Sequence, residues 1–179
     1  MKLSVLGSST SACTGPTSYA NCFLGKLETY YANMRTPITI HNLAIGGYNV
    51  YKGMPSSYTP DPGFNIYPDP ARNITAALQN NPAVVLVNYP TNNYDTMAVG
   101  RVLYALRVIR DSAEAKGKVA FITTTQPRTG FSAAARAKLK ELRDSILLQH
   151  GHLPLISGMV SPMQPAQFYP PMTREMVFT

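Results

Sequence analysis

Lys2-Leu3-Ser4-Val5-Leu6-Gly7-Ser8-Ser9-Thr10-Ser11-Ala12 is the stretch that decides the fold. Its first half is short, rich in Leu and Val and closed by Gly7, which is the pattern of a buried strand. Its second half is a turn rich in Ser and Thr. The same pattern recurs over residues 38–44, 83–88 and 118–124, each run bounded by Gly, Pro or Asn. Helical periodicity fills the gaps. Val102, Leu103, Leu106, Val108 and Ile109 make one apolar face, with Asp95 as a candidate cap. Ala135, Leu139, Leu142 and Ile146 make another, entered at Ser132. Residues 19–33 and 73–80 give weaker helices. Strands apolar on both faces, alternating with helices, imply a parallel sheet covered on each side. The expected architecture is a three-layer α/β/α sandwich with four or five parallel strands. Ligands of such sheets bind beyond the carboxyl ends of the strands, so the residues after each strand carry the functional information.

The bulk properties agree with one domain. The 179 residues suffice for a sizeable core, and 45% apolar content excludes a disordered chain. No apolar run approaches the roughly 18 residues of a membrane span. The N-terminus turns polar too soon for a signal peptide. The chain as written therefore reads as cytoplasmic, or as extracytoplasmic if a signal has been removed. A net charge of +7 would suit an anionic partner. Yet Arg136, Lys138, Lys140 and Arg143 fall at helical spacing among Ala, Leu and Glu, with no basic-aromatic stripe. They read as a solvated helix face rather than a nucleic-acid surface. Cys13 and Cys22 are too few for a disulfide scaffold and leave a single bridge open. No His or acidic group stands at zinc-ligand spacing, and no cofactor is expected.

One connection is unusually long. Residues 46–72 hold Pro55, Pro60, Pro62, Pro68 and Pro70 with Tyr48, Tyr51, Tyr58, Phe64 and Tyr67. Loops of this length in a compact domain are usually functional, and tyrosine faces suit sugar rings or acyl chains. The equal alternative is a loop that packs its own aromatics on the domain.

Three turns follow the first three strands. In the first, Ser9 could sit exposed at the sheet edge with backbone N–H groups beside it. The same turn could equally cap a helix or cradle a phosphate. The second, Asn42-Leu43-Ala44-Ile45-Gly46-Gly47-Tyr48, has paired glycines that let backbone N–H groups approach a ligand, or that simply turn the chain. In the third, Asn88-Tyr89-Pro90-Thr91-Asn92-Asn93, a side-chain amide could donate to a developing oxyanion, or merely shape the loop.

In this order, Ser then Gly then Asn, the turns resemble the first blocks of the SGNH (GDSL-type) hydrolases. The match is closest to bacterial members with Gly-Ser-Ser-Thr in place of Gly-Asp-Ser-Leu. Pro68-Asp69-Pro70-Ala71-Arg72-Asn73-Ile74 and Thr123-Thr124-Thr125-Gln126-Pro127-Arg128 extend the resemblance, which covers about Lys2 to Gly151. It implies a flavodoxin-like fold and an esterase with Ser9 as nucleophile. The oxyanion hole would be the N–H groups of Ser9 and Gly47 and the side-chain amide of Asn92. Asn93 stands where the family usually has Asp. Gln126 and Arg128 follow the fourth strand and could line the substrate pocket, unless Arg128 pairs with an acidic neighbour.

A Ser hydroxyl needs a base, and the base an orienting carboxylate. The family takes both from an Asp-x-x-His near the C-terminus. Here no Asp follows Asp144, and the histidines are His41, His150 and His152. His41 falls inside the second strand and reads as structural, while His150 and His152 end a helix, at the wrong place for the dyad. The chain thus reads as one domain, in register with the family over 1–152 and aberrant over 153–179. A one-base frameshift near His152 accounts for the tail. Glu175-Met176-Val177-Phe178-Thr179 can be encoded so that the frame one base back reads Gly-Asp-Gly-Val-His. Pro154 to Val160 can likewise hide Ala-Ile-Asp-Phe-Trp-Asp-Gly, and a stop after Thr179 fits the same shift. An unrelated tail is the alternative. A frameshift would also remove the last helix, expose apolar surface and make the charge artificially positive.

The expected function is cleavage of an ester, an acetyl or short acyl group on a small molecule or carbohydrate, impaired by the missing Asp–His. The rivals are a degenerate esterase that binds a glycan without cleaving it, and a flavodoxin-like protein holding phosphate or FMN at the Ser/Thr turn.

Overall fold

The computed structural model describes residues 1–89, 91, 92, 97–126 and 128–151. Its strands are β1 (Lys2–Gly7), β2 (Thr39–Asn42), β3 (Val84–Asn88) and β4 (Val119–Ile122). Its α-helices are α1 (Phe23–Asn33), α2 (Ile74–Gln79), α3 (Val99–Glu114) and α4 (Ala133–His150). The strands pair in parallel in the order β2-β1-β3-β4. Successive side chains along a strand point to opposite faces, and the two faces hold separate cores. Leu6, Val85, Val87, Ala120 and Ile122 meet α2, α3 and α4. Leu3, Val5 and Leu86 meet Leu24 of α1. With β1–α1–β2 running one way along the sheet and β3–α3–β4 the other, right-handed crossovers put their helices on opposite faces. The result is the expected three-layer α/β/α sandwich. Among the described residues α1 is the one helix on its face, and Val119 there is 43% exposed.

Local chemistry explains the helix ends. Ser132 accepts a hydrogen bond from the Ala135 N–H at 3.2 Å, and Asn73 accepts from Ala76 at 3.0 Å, so each caps its helix. The expected cap of α3 is corrected: the helix starts at Val99 with Ala98 as N-cap and no side-chain bond. Asp95 lies outside the described residues, as do Asn93, His152 and the 153–179 tail. The second strand is shorter than expected, since β2 is an edge strand with Thr39 exposed and its other residues only half-buried.

The long connection packs its own aromatics. Tyr51 is buried, with Phe64 at 4.6 Å and Tyr58 at 5.7 Å between ring centroids. Its hydroxyl donates to the Arg101 carbonyl at 3.3 Å. Gly53 abuts the buried Tyr89 ring so closely that a methyl group there would lie 2.7 Å from it. Tyr67, by contrast, is exposed. A disulfide joins Cys13 to Cys22, the residue at the N-cap of α1.

His150, at the end of α4, is buried, and Arg110 Nη1 lies 3.0 Å from its Nδ1. Burial and then the Arg110 charge push its pKa down to about 4, with Asp111 opposing. The unfolded chain takes up this proton near the ordinary His pKa of about 6.5 while the fold refuses it until about 4. Stability is therefore expected to fall, by on the order of 2–3 kcal/mol, as pH drops through that window. Urea titrations of the parent and of His150→Leu at pH 7 and pH 4.5 check this; an equal acid loss in both would overturn it.

Candidate active site

The topological switch point, where the winding of the chain along the sheet reverses, lies beyond the carboxyl ends of β1 and β3. The turn after β1 is wound tightly. Ala12 N–H donates to Ser8 O at 2.8 Å, Cys13 N–H to Thr10 O at 3.3 Å and Thr14 N–H to Ser9 O at 2.9 Å. These N–H groups are consumed internally, which removes donors that a phosphate cradle would need. Among the described residues the N–H of Ser9 has no acceptor and its hydroxyl has no hydrogen-bond partner. Ser9 itself is half-buried.

Gly7 makes the turn possible. A methyl group there would lie 2.7 Å from Ser11 Oγ and 2.8 Å from the Asn88 carbonyl, inside contact distance. Beneath the turn runs a buried polar chain. Thr123 donates to Asn88 Oδ1 at 2.8 Å, and Asn88 Nδ2 donates to Ser11 Oγ at 2.9 Å. Asn42 Nδ2 adds a bond to the Ser11 carbonyl at 2.7 Å. Strands β2, β3 and β4 thus each contribute a polar residue at or just beyond their ends to hold one turn. Sequence reasoning missed this hub. Its available signal was Asn42 and Asn88, polar residues closing otherwise apolar strands.

The second turn folds against the first. Ile45 N–H donates to the Gly7 carbonyl at 3.2 Å, and a methyl group on Gly46 would stand 3.9 Å from Ser9 Cβ. Gly47 has φ of +83°, a conformation that side chains resist, and its N–H has no acceptor among the described residues. Tyr48 donates to Asp69 at 2.6 Å, and Asp69 also accepts the Ala71 N–H at 2.9 Å. The Tyr48 hydroxyl bond is the main cause that holds the Asp69 carboxyl below its usual pKa. The 68–74 block is thereby a brace for the glycine turn. From the third turn, Asn92 Nδ2 donates to the Tyr48 carbonyl at 2.9 Å. Ser9, Gly47 and Asn92 are brought to one edge of the sheet.

Gln126 joins them through Thr10, whose hydroxyl donates to Gln126 Oε1 at 3.1 Å. Arg128 lies over the Phe131 ring at 5.4 Å, with no carboxylate partner among the described residues. The described histidines lie elsewhere. His41 pairs with Ser4, three residues before the end of β1 and about 10 Å from that edge by the strand rise. Its Nδ1 is buried without a partner among the described residues. Helix α4 starts near the Ser9 edge and spans 18 residues, about 27 Å, so His150 ends at the opposite edge.

By sequence, no family model and no curated protein matches the chain. Its three-dimensional form does match solved structures. TesA superimposes with a TM-score of 0.63 at 17% identity, over 95% of this chain and 89% of its own. The psychrotrophic esterase EstA from Pseudoalteromonas sp. does so with 0.63 at 14%, over 87% and 76%. AlinE4, an SGNH-hydrolase family esterase, gives 0.62 at 12%, over 86% and 74%. At these identities the shared property is the fold.

Proposed function

We propose that this chain, built on the fold of the SGNH hydrolases, is a serine esterase whose nucleophile is Ser9 and whose acid–base pair is missing. The convergence of three separate turns carries the reading. Ser9 stands beside the glycine turn, and Asn92 is bonded to the carbonyl that follows Gly47. An ester carbonyl attacked by Ser9 Oγ would place its developing oxyanion among the N–H groups of Ser9 and Gly47 and the second amide hydrogen of Asn92. Donors preset at that position stabilise charge that appears only in the transition state. The acyl group would pass to Ser9 and then to water. Each step needs a proton carrier, and neither described histidine is near. Residues 153–179 hold no Asp-x-x-His, so turnover is expected to be residual.

A short acyl ester of a carbohydrate is the substrate class we favour. Tyr58, Asp61, Arg101 and Tyr104 are part of the lining of a cavity of about 340 Å³ beside the start of α3, where flat rings and polar tips suit a sugar. A glycan-binding protein without catalysis is the second reading, favoured by the remoteness of His41 and His150. A fluorophosphonate tests the nucleophile directly. Slow phosphonylation confined to Ser9, read by peptide mass, is expected to slow by roughly 10²-fold in Asn92→Ala. An adduct at another residue, or none at Ser9, would overturn the assignment.

A further inference from the structure

Three of the basic residues of α4 share one concavity of the surface. Arg136, Lys140 and Arg143 line a cavity of about 160 Å³ together with Gln126 and Arg128 from the segment after β4. No acidic side chain is in the lining. Arg143 has Asp144 beside it at 2.6 Å. Arg128, Arg136 and Lys140 have no carboxylate partner among the described residues. The Arg136 guanidinium donates to the carbonyls of Phe131 and Thr129, which fixes its position without cancelling its charge. Arg128 is steadied by stacking on Phe131. Cations held in a concavity with no counter-charge focus a positive field into it. Guanidinium groups fixed by neutral partners are well prepared for bidentate oxyanion recognition. The volume equals about five waters, enough for a tetrahedral oxyanion and part of its hydration.

The cavity also adjoins the nucleophile turn. Gln126 belongs to its wall and accepts the hydroxyl of Thr10, the residue after Ser9. We propose that this cavity is an oxyanion subsite, which takes a phosphate, sulfate or carboxylate carried by the ester substrate. The substrate half of that statement rests on the esterase reading above; the binding half does not. The subsite would make the protein selective for acidic esters over neutral ones of the same acyl group. It would also give part of the basic charge a role at the site.

Calorimetric titration of the full chain with inorganic phosphate at low ionic strength tests the binding half. One phosphate per chain is expected, weakened about tenfold in Lys140→Gln/Arg143→Gln and progressively by added salt. Both side chains are exposed, so the substitutions should spare the fold, which circular dichroism verifies. Acetate as a second titrant separates carboxylate from phosphate: tighter phosphate binding assigns a multiply charged group, and equal binding a carboxylate. Absent one-to-one binding of both anions, or binding unchanged by the double substitution, overturns the subsite. The fluorophosphonate judges the esterase reading separately. Ser9 labelled without anion binding removes the cavity alone. Anion binding without any Ser9 adduct keeps the cavity and removes the ester.

Discussion

Inserting one base after the His152 codon is expected to raise turnover of p-nitrophenyl acetate by roughly 10⁴- to 10⁶-fold, the range over which a serine nucleophile depends on its base. The physical argument runs through the proton. On the proposed reading Ser9 has an oxyanion hole in reach but, among the described residues, no histidine to take its proton, because His41 sits in mid-strand and His150 at the far end of α4. Base and orienting acid act as a unit, so restoring both returns more than either alone. Ser9→Ala in the repaired chain must remove the whole gain. Sequencing the DNA is the first arm, and a repaired frame that lacks Asp-x-x-His ends the frameshift proposal. A repaired chain that gains the motif but no activity would instead sink the esterase reading. The same repair bears on the fold, since α1 alone covers one sheet face among the described residues and a further helix there would bury Val119 and Phe121.

The second large effect is expected at Asn88. Asn88→Leu keeps the branched shape, with a somewhat bulkier tip, but removes the middle link of the buried chain and strands its two ends, Thr123 and Ser11. Each stranded polar group costs about 1–3 kcal/mol, so a loss of about 3 kcal/mol is expected, a large share of the ~5–15 kcal/mol that holds a domain together. The midpoint of urea unfolding reads this directly. Phosphonylation of Ser9 should slow as well, because Ser11 anchors the turn that presents it. Asn88→Asp, which retains an acceptor for Thr123, should fall between the two proteins. An unchanged midpoint in Asn88→Leu would mean that the turn is held by other contacts.

Much of this arrangement is legible in the sequence because it is local. Runs of Leu and Val closed by Gly or Asn mark β1 and β3, and their buried cores follow. The Ser132 cap is legible too, because an N-cap acts within its own helical turn. What depends on distant partners is not. The run over 38–44 forms a strand only over Thr39–Asn42, at the edge of the sheet, although β1 runs on to Gly7 beside it. Tyr51 and Phe64 could have faced a ligand; the loop closes them on each other instead. Ser11 and Asn88 stand 77 residues apart, and nothing in either neighbourhood announces their bond. For the site, residue types and order suggested Ser9, Gly47 and Asn92. The bracing of the glycine turn by Asp69 through Tyr48 emerges only from the folded loop.

The Cys13–Cys22 bridge has a consequence outside the chemistry of esters. It closes a short loop, with a sequence separation of 9, between the turn that carries Ser9 and the start of α1. A loop of that length confines the unfolded chain enough to contribute about 2.5 kcal/mol in the chain-entropy account. That contribution exists only where thiols stay oxidised. Under a reducing buffer Cys13 is released to move, and the tight turn loses its covalent anchor to α1. Samples handled with and without dithiothreitol are therefore different molecules in their first 22 residues, and rates measured on one do not describe the other.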